Sequence, residues 1–325
     1  MQRRTFLLNA AAATMAGAAP AAFAESKWPS KPIRFIVPFP PGGGTDTISR
    51  LIATKFSTLD HWTMVVDNKP GAAGNIGLDA VAKAAPDGYT LGMGQASNLA
   101  INPALYPNMP FNPTKDFTAI APVAEQPVVL VVRADSPFKT LADFIKAAKD
   151  KPGSMSVAQA GSGTVGHLAG EMLARRAGIN VLQVPYKGAG PAMTDLLGGQ
   201  VAGYFGSTPS VMSQLQPGKI RALCVTSTKR LPTLANVPTV AEQGYPGFDA
   251  VTWLGIVGPA GMPADVVARI NQETLKILDR ADVKERLAFE GSVQTPGTPQ
   301  QFAQLIQKEI DKWGALVREA KIKLE

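Results

Sequence analysis

The segment Pro38-Phe39-Pro40-Pro41-Gly42-Gly43-Gly44-Thr45-Asp46 joins a β-branched apolar run at Ile33–Val37 to an amphipathic stretch at Thr45–Phe56. The run predicts a strand and the stretch predicts a helix. Consecutive glycines leave backbone N–H groups unobstructed at the helix start, where open donors and the helix dipole favour a carboxylate or phosphate. We therefore predict an anion-binding turn, in which Thr45 or Asp46 caps the helix or Asp46 orders water.

Strand-like and helix-like stretches continue to alternate along the chain. Short β-branched runs predict strands, and apolar residues at i, i+3, i+4 and i+7 predict helices. This alternation is typical of parallel βαβ units, so the sequence predicts the α/β class. The predicted strands are Met64–Val66, Tyr89–Met93, Met155–Ala158, Val181–Val184, Val201–Phe205 and Ile220–Thr226, and the predicted helices are Ile76–Ala84, Leu141–Lys149, Val165–Ala177 and Pro191–Leu197.

Two apolar stretches are candidates for connections between two domains. Ala119–Val132 is mostly free of charge, is interrupted by Pro127 and is too long for one ordinary strand. Ala250–Val257 would make the return crossing. Nearer the C-terminus, the stripe from Phe302 to Val317 repeats the helical template over four turns, which predicts a surface helix packed on a core.

The first 24 residues have the pattern of an export signal. Arg3-Arg4 precedes the uncharged run Thr5–Ala19, and Ala22-Phe23-Ala24 is a small-x-small cleavage site. The arginine pair followed by Thr5-Phe6-Leu7-Leu8 also fits the twin-arginine route, with the general secretory route as the alternative. An uncleaved anchor is disfavoured because the run is mostly alanine and ends at Pro20.

Charge and cysteine content exclude several classes of protein. Without the two signal arginines, 30 basic side chains face 25 acidic ones, which gives a net charge of +5. The basic residues are spread along the chain, so the sequence favours small anions and argues against nucleic acid as a partner. Cys224 is alone, which excludes an internal disulfide and a cysteine metal cluster, and we interpret it as a buried thiol. No cofactor or metal ion is predicted.

Three further turns resemble the first in composition. Gly71–Gly77 and Gly161–Gly166 each open a predicted helix, and Tyr186-Lys187-Gly188-Ala189-Gly190-Pro191 lies at another strand-to-helix junction. Ligands of open α/β sheets bind at the carboxyl ends of strands, where these turns lie. Lys187 could add a fixed positive charge there, or could simply be an exposed lysine.

Gly161-Ser162-Gly163-Thr164-Val165-Gly166 has the spacing G-x-G-x-x-G of dinucleotide-binding turns. That fingerprint requires an acidic residue about 20 positions on, where this chain has Val184-Pro185-Tyr186-Lys187. We therefore interpret the turn as an anion cradle, to which Ser162 and Thr164 supply hydroxyls and Gly163–Val165 supply amides.

Histidines are too few to favour an enzyme. His61 lies in a turn, whereas His167 lies one helical turn before Glu171 and could form a catalytic pair or half of a metal site with it. The chain has no H-E-x-x-H or G-x-S-x-G motif and no second histidine at ligand spacing. We predict no catalytic residues, and we expect His167 to face a ligand or the core.

The glycine-rich turns, in this order, resemble those of the Bug-type solute receptors of tripartite tricarboxylate transporters. The resemblance covers nearly the whole chain after the signal. The matching segments are Pro38–Asp46, Gly71–Gly77, Pro86–Tyr89, Ala100–Tyr106, Gly161–Thr164, His167–Glu171, Val184–Gly188, Gly198–Val201 and Val237–Gly244.

The resemblance implies an α/β periplasmic-binding-protein fold of the type II-like class, with two lobes joined by two crossing hinge strands. Residues 25–126 and 251–325 would form lobe 1, and residues 127–250 would form lobe 2. A periplasmic monomer of this kind would close on a small organic acid and deliver it to the membrane subunits of the transporter. The alternatives are a ligand sensor for a signalling partner and a secreted enzyme that uses His167 and Glu171.

The resemblance also implies a set of ligand-binding residues drawn from both lobes. Phe39 and Trp253 could pack on the apolar body of the ligand, although Trp253 could equally be a buried hinge residue. The implied set is Phe39, Gly43, Thr45, Gln95, Ser97 and Asn98 from lobe 1 and Ser162, Gly163, Thr164, His167, Tyr186, Lys187, Gly188, Gly206 and Ser207 from lobe 2.

One departure from the family pattern concerns Tyr204-Phe205-Gly206-Ser207-Thr208. Where the family commonly has an aspartate that can meet a ligand ammonium, this chain has Gly206. We therefore expect a plain monocarboxylate or dicarboxylate, aromatic acids included, rather than an amino acid. We also expect the glycine to leave room for a larger ligand.

Overall fold

A computed structural model describes residues 28–320 and residue 322, so the predicted signal at residues 1–24 lies outside the described residues. A short N-terminal unit ends at Ser30, and the larger unit from Lys31 onward holds all the described helices and strands. In the part of the chain described, no helix has the length and apolar character to cross a bilayer.

Strands and helices alternate as the sequence analysis predicted, and most predicted elements are confirmed to within two or three residues. The unpredicted elements are the helices Asn102–Leu105, Thr208–Leu215, Ala264–Asp279 and Ala281–Phe289 and the short strand Val293–Gln294. The elements are β1 (Ile33–Val37), α1 (Gly44–Leu59), β2 (Met64–Asn68), α2 (Asn75–Ala82), β3 (Thr90–Gln95), α3 (Asn102–Leu105), β4 (Phe117–Arg133), α4 (Leu141–Asp150), β5 (Ser156–Gln159), α5 (Val165–Ala177), β6 (Leu182–Pro185), α6 (Ala189–Leu197), β7 (Gly203–Ser207), α7 (Thr208–Leu215), β8 (Ile220–Val225), β9 (Val251–Pro259), α8 (Ala264–Asp279), α9 (Ala281–Phe289), β10 (Val293–Gln294) and α10 (Pro299–Ala320).

The strands form one extended mixed sheet in the order β2-β1-β3-β9-β4-β7-β5-β6, while β8 and β10 also pair with β4. β1 is parallel to β2 and β3, and β5 is parallel to β6 and β7, which confirms the predicted βαβ units. β9 and β4 run antiparallel to their neighbours between these two parallel groups.

β4 is one continuous strand of 17 residues, so the expectation that Pro127 interrupts this stretch is wrong. Its first part, as far as Pro127, pairs with β9, and its second part, from Val128, pairs with β7 and β8. The two prolines of β4 lie where its pairing changes. The register with β9 shifts on either side of Ala121–Pro122, and β4 pairs with different strands on either side of Pro127. β4 therefore links the two parallel groups, through β9 on one side and through β7 on the other.

The predicted C-terminal helix is confirmed as α10, whose apolar face is buried. Trp253 on β9 packs edge-to-face on Phe302, with the ring centroids 5.8 Å apart. Oε2 of Glu309 accepts hydrogen bonds from Nε1 of Trp253 at 3.2 Å and from Nε1 of Trp313 at 2.8 Å. Trp253 is thus a core residue whose indole N–H has a hydrogen-bond acceptor.

Cys224 is also buried, which raises the pKa of its thiol to about 12 and keeps it protonated.

Candidate ligand-binding site

A cavity lies where several strands end and helices begin. Its empty volume is about 580 Å³ when the open mouth is counted. Its wall contains no acidic or basic side chain. We call it the inner cavity, and its wall consists of Phe39, Pro40, Gly43, Gly44, Thr45, Gln95, Gln126, Val128, Ala160, Thr164, Val165, Gly166, Gly188, Ala189, Tyr204, Phe205, Ser207 and Thr252.

Among the described residues, four helices begin at the inner cavity. The residues that precede α1, α5, α6 and α7 are Gly43, Thr164, Gly188 and Ser207, and each of them lines the wall. Only Thr164 caps its helix through a side-chain hydrogen bond. Helix N-termini carry open N–H donors and a partial positive charge. The arrangement can therefore stabilise a bound anion even though no cationic side chain lines the cavity.

Thr45 and Gln95 form a hydrogen-bonded pair at the wall. Oγ1 of Thr45 donates to Oε1 of Gln95 at 2.7 Å, and Nε2 of Gln95 donates to Oγ of Ser97 at 2.8 Å. The backbone N–H of Gln95 donates to Oδ1 of Asn98 at 3.0 Å. Ser97 and Asn98 are buried behind Gln95 and do not line the cavity, so they orient Gln95 from behind.

The prediction that Thr45 or Asp46 caps α1 is wrong, because Gly43 occupies the cap and makes no side-chain bond. Asp46 instead braces the turn: its Oδ2 accepts from the N–H of Gly42 at 3.0 Å, and its carboxylate also accepts from Arg50 and Asn68. Burial opposes ionisation of Asp46, but these hydrogen bonds outweigh it and lower the pKa of the carboxyl group below its usual value.

The turn before α5 is held from beneath by His167. Nδ1 of His167 accepts from the N–H of Gly163 at 3.2 Å, and the N–H of His167 donates to Oγ1 of Thr164 at 3.3 Å. The N–H of Thr164 donates to the carbonyl of Gly161 at 3.2 Å. The amides of Gly163 and Thr164 are therefore engaged within the turn, contrary to their expected role as ligand donors. The N–H groups of the next residues, at the start of α5, have no acceptor within the helix and are therefore open to a ligand.

His167 is 7% exposed and lies outside the cavity wall, and its Nε2 is 3.9 Å from Oε1 of Glu171. Gly163 also lies outside the wall. Both residues therefore contribute to the site through the turn that they shape. Within the described part of the chain, no group of three or more His, Cys, Asp or Glu residues could hold a metal ion.

Gly206 does not leave room for a ligand, contrary to expectation. A Cβ at this position would lie 2.5 Å from Cε1 of Tyr204 and 2.7 Å from Cγ1 of Val211, so neighbouring side chains already fill the space. Tyr204 is fully buried and forms part of the cavity wall. Burial raises the pKa of its hydroxyl to about 12, so the wall presents a neutral tyrosine where the family pattern suggests a carboxylate.

A second cavity adjoins the first and shares five residues with it: Phe39, Pro40, Ala160, Thr164 and Gly188. We call it the outer chamber, and its empty volume is about 1120 Å³ when the mouth is counted. Ser162, Tyr186 and Lys187 of the predicted set border this chamber and not the inner cavity. The rest of its wall is Pro70, Gly71, Ala72, Ala73, Gly74, Tyr106, Gly161 and Pro185.

The structure thus brings part of the predicted set together at the inner cavity, namely Phe39, Gly43, Thr45, Gln95, Thr164, Gly188 and Ser207. Sequence reasoning missed Gln126, Tyr204 and Thr252 of the wall. Nε2 of Gln126 donates to the carbonyl of Gly44 at 3.0 Å. The polar pair Glu125-Gln126 within the apolar stretch that forms β4 was the available signal for Gln126.

Comparison with known sequences gives a match along most of the chain. The profile of the family described as "Tripartite tricarboxylate transporter family receptor" matches residues 48–322. Protein BugT of Bordetella pertussis (strain Tohama I / ATCC BAA-589 / NCTC 13251) is 37% identical over 299 residues, which cover 92% of this chain and 92% of BugT.

Solved structures share the fold. Periplasmic binding protein BugD is 34% identical with a TM-score of 0.87, covering 92% of this chain and 100% of BugD. R. palustris Rpa4515 with adipate is 33% identical with a TM-score of 0.89, covering 91% and 99% of the two chains. MatC (Rpa3494) from Rhodopseudomonas palustris with bound malate is 34% identical with a TM-score of 0.84, covering 89% and 100%. The expected periplasmic-binding-protein fold is confirmed.

Proposed function

The chain belongs to the tripartite tricarboxylate transporter receptor family, and we propose that it is a periplasmic receptor for a small organic carboxylate, which it delivers to the membrane subunits of such a transporter. The convergence of four helix N-termini on a cavity with no charged wall residue carries this proposal. Open amides and helix dipoles stabilise a carboxylate and offer nothing to an ammonium group. Relatives whose structures contain adipate and malate support the same ligand class.

We further propose that ligand binding selects a closed arrangement of two lobes, with residues 25–126 and 251–325 in one lobe and 127–250 in the other. β4 and β9 would be the hinge strands, because β4 changes partners between Pro127 and Val128. Both proposed lobes contribute to the wall of the inner cavity, Thr45 and Gln95 from one and Thr164 and Ser207 from the other, which supports this view. A monomer is sufficient for this mechanism.

The ligand-binding roles of the predicted residues follow from their positions. Thr45, Gln95 and Ser207 would present side-chain hydroxyls and amides, while Phe39 would cover the apolar part of the ligand. Ser97, Asn98, Gly163 and His167 would act by positioning the residues in front of them, as described above. A carboxylate-binding role is favoured over catalysis because Nδ1 of His167 is already engaged by the N–H of Gly163.

Thermal stabilisation of the exported protein by carboxylates tests this proposal. At a ligand concentration of about 100 times the dissociation constant, we expect about 2.7 kcal/mol of added stability, which is a rise of a few degrees in Tm. The methyl esters of the same acids are the matched control, because they retain the shape and lack the charge. Equal stabilisation by acid and ester, or stabilisation by amines alone, would overturn the proposal.

We also propose that export uses the twin-arginine route. Replacement of Arg3 and Arg4 by lysine retains the basic start that the general secretory route needs and removes the paired arginines. We expect the double variant to accumulate in the cytoplasm with its signal uncleaved. Normal appearance of the double variant in the periplasm would assign export to the general secretory route instead.

A further inference from the structure

We propose that Glu125 and Lys312 are positioning residues for ligand binding, which act from behind the two hinge strands through their opposite effects on Asp249. The inference rests on the proposed function, and it adds two residues that influence the ligand without touching it. Glu125, Asp249, Glu309 and Lys312 together are called the hinge cluster.

The first step is the position of the hinge cluster on the strands. Gln126 of β4 is opposite Thr252 of β9, and both residues line the inner cavity. Their neighbours Glu125 and Trp253 are also opposite each other, and they lie on the other face of the sheet because successive side chains of a strand alternate. On that face, Trp253 donates its indole hydrogen bond to Glu309 of α10. The same two strands therefore line the ligand cavity on one face and carry the hinge cluster on the other.

The second step is an ion pair that crosses the boundary between the proposed lobes. Nζ of Lys312, on α10, is 3.0 Å from Oδ2 of Asp249 and 3.4 Å from Oε1 of Glu309. Asp249 belongs to the proposed lobe 2 and lies two residues before β9. The next residue, Ala250, is bound to the end of β8, because its N–H donates to the carbonyl of Thr226 at 3.0 Å and its carbonyl accepts from Oγ1 of Thr226 at 2.6 Å. The start of the hinge strand β9 is therefore attached to lobe 2 by Thr226 and to lobe 1 by Lys312.

The third step is the charge of the hinge cluster, which has three carboxyl groups and one ammonium group. Glu125 is half-buried, and among the described residues it makes no hydrogen bond or ion pair. Burial, followed by the negative charges of Asp249 and Glu309, raises the pKa of Glu125 above its usual 4.5, while Lys312 acts in the opposite direction. The charged groups around Glu125 thus come from the segment before β9 and from α10, and the paired strand β10 carries no charged residue.

The consequence is a balance of forces on Asp249. Ionised Glu125 repels Asp249 across the lobe boundary, whereas Lys312 attracts it. If ligand binding selects the arrangement in which both lobes line the inner cavity, the apparent affinity depends on this balance. The proximity of Asp249 raises the pKa of Glu125 in that arrangement, so a proton on Glu125 favours the bound state. Affinity is therefore highest at low pH and falls as the pH rises through the pKa of Glu125.

Calorimetric titration between about pH 4.5 and pH 7.5 tests the inference. The probes are adipate, malate and benzoate, and the one that binds the unmodified protein most tightly is then used for every variant, so that protonation of the ligand cancels in each comparison. Glu125→Gln should bind about threefold more tightly than the unmodified protein at pH 7.5, and the two affinities should converge towards pH 4.5. Lys312→Met should bind about threefold more weakly at pH 7.5. Lys308→Met, which removes an exposed lysine of the same helix, should bind normally.

The outcomes separate this inference from the proposed function. A merely structural role for Glu125 would give a variant that binds equally or more weakly, by a factor that does not change with pH, and this result would overturn the inference alone. Equal affinities of Lys312→Met and Lys308→Met would likewise remove Lys312 from the mechanism. If none of the three carboxylates bound the unmodified protein, the proposed receptor function and the inference would fail together. Titration in two buffers of different ionisation enthalpy gives an independent check, because proton uptake on binding should be seen in the unmodified protein and be lost in Glu125→Gln.

Discussion

Asn102 and Gly163 approach each other so closely that a Cβ on Gly163 would lie 2.9 Å from Oδ1 of Asn102. Asn102 begins α3, whereas Gly163 lies in the turn before α5, so the contact joins distant parts of the chain. Asn102 cannot easily move away, because it is buried and its Nδ2 donates to Oδ1 of Asn75 at 2.6 Å. Only a residue without a side chain fits opposite it.

Gly163→Ala should therefore weaken carboxylate binding about tenfold, equivalent to about 1.4 kcal/mol, because the added methyl group pushes the turn away from Asn102. Gly178→Ala is the matched control, since Gly178 ends the same helix with a φ of 62° and has nothing within 4 Å of the added Cβ. Both variants should lose some stability to the left-handed backbone, but Gly178→Ala should bind normally. Equal affinities in a calorimetric titration would show that the close approach is unimportant for binding.

Thr45→Val should weaken binding and stability together. The substitution keeps the shape but leaves Oε1 of Gln95 without its 2.7 Å donor, which costs about 1–3 kcal/mol for a buried acceptor. Thr47→Val, two residues further along α1 at a half-buried position, removes a comparable hydroxyl that donates to the carbonyl of Gly43 at 3.2 Å. Urea denaturation and ligand titration should both rank Thr45→Val as the more damaging variant, and the reverse order would contradict the role of the Thr45–Gln95 pair.

Asp46 should make stability depend on pH in the acid range. Its pKa is lowered in the folded protein from the usual 3.8, so its contribution to the free energy of unfolding is complete above that value. The contribution is lost as the pH falls below about 3.8 towards the lowered folded-state pKa. Asp46→Asn should be less stable than the unmodified protein at pH 6, and the difference should shrink in acid. Asp265→Asn, at an exposed position in α8, is the control, and parallel stability curves for all three proteins would refute the prediction.

Glu309→Met should destabilise the protein by about 3 kcal/mol, because it leaves the buried N–H groups of Trp253 and Trp313 without an acceptor. Glu309→Gln keeps an amide oxygen of the same shape and should lose less than half as much. Denaturation followed by tryptophan fluorescence measures both variants. If the glutamine variant were as unstable as the methionine variant, charge rather than the two hydrogen bonds would account for the role of Glu309.

Local patterns were sufficient to predict the βαβ units, because strand and helix periodicities appear in neighbouring residues. They also located the turns of Gly43, Thr164 and Gly188, since glycine and hydroxyl residues mark helix starts directly. Periodicity could not show that β4 continues through Pro127, because that depends on which strands pair with it on either side. Nor could it show that Tyr204 fills the space beside Gly206, because the ring folds back from a residue two positions earlier.

Because β4 is one continuous strand, a change within it has wider consequences for the fold than a change in the turns around the cavity. An insertion of one residue near the start of β4 would turn the side chains that follow it to the opposite face, both where β4 pairs with β9 and where it pairs with β7 and β8. The turns that line the inner cavity lie beyond the strand ends, where we expect an exchanged residue to alter the cavity and leave the strand pairing intact. Substitutions that alter ligand preference are therefore compatible with the fold when they fall in the turns, whereas insertions within β4 are not.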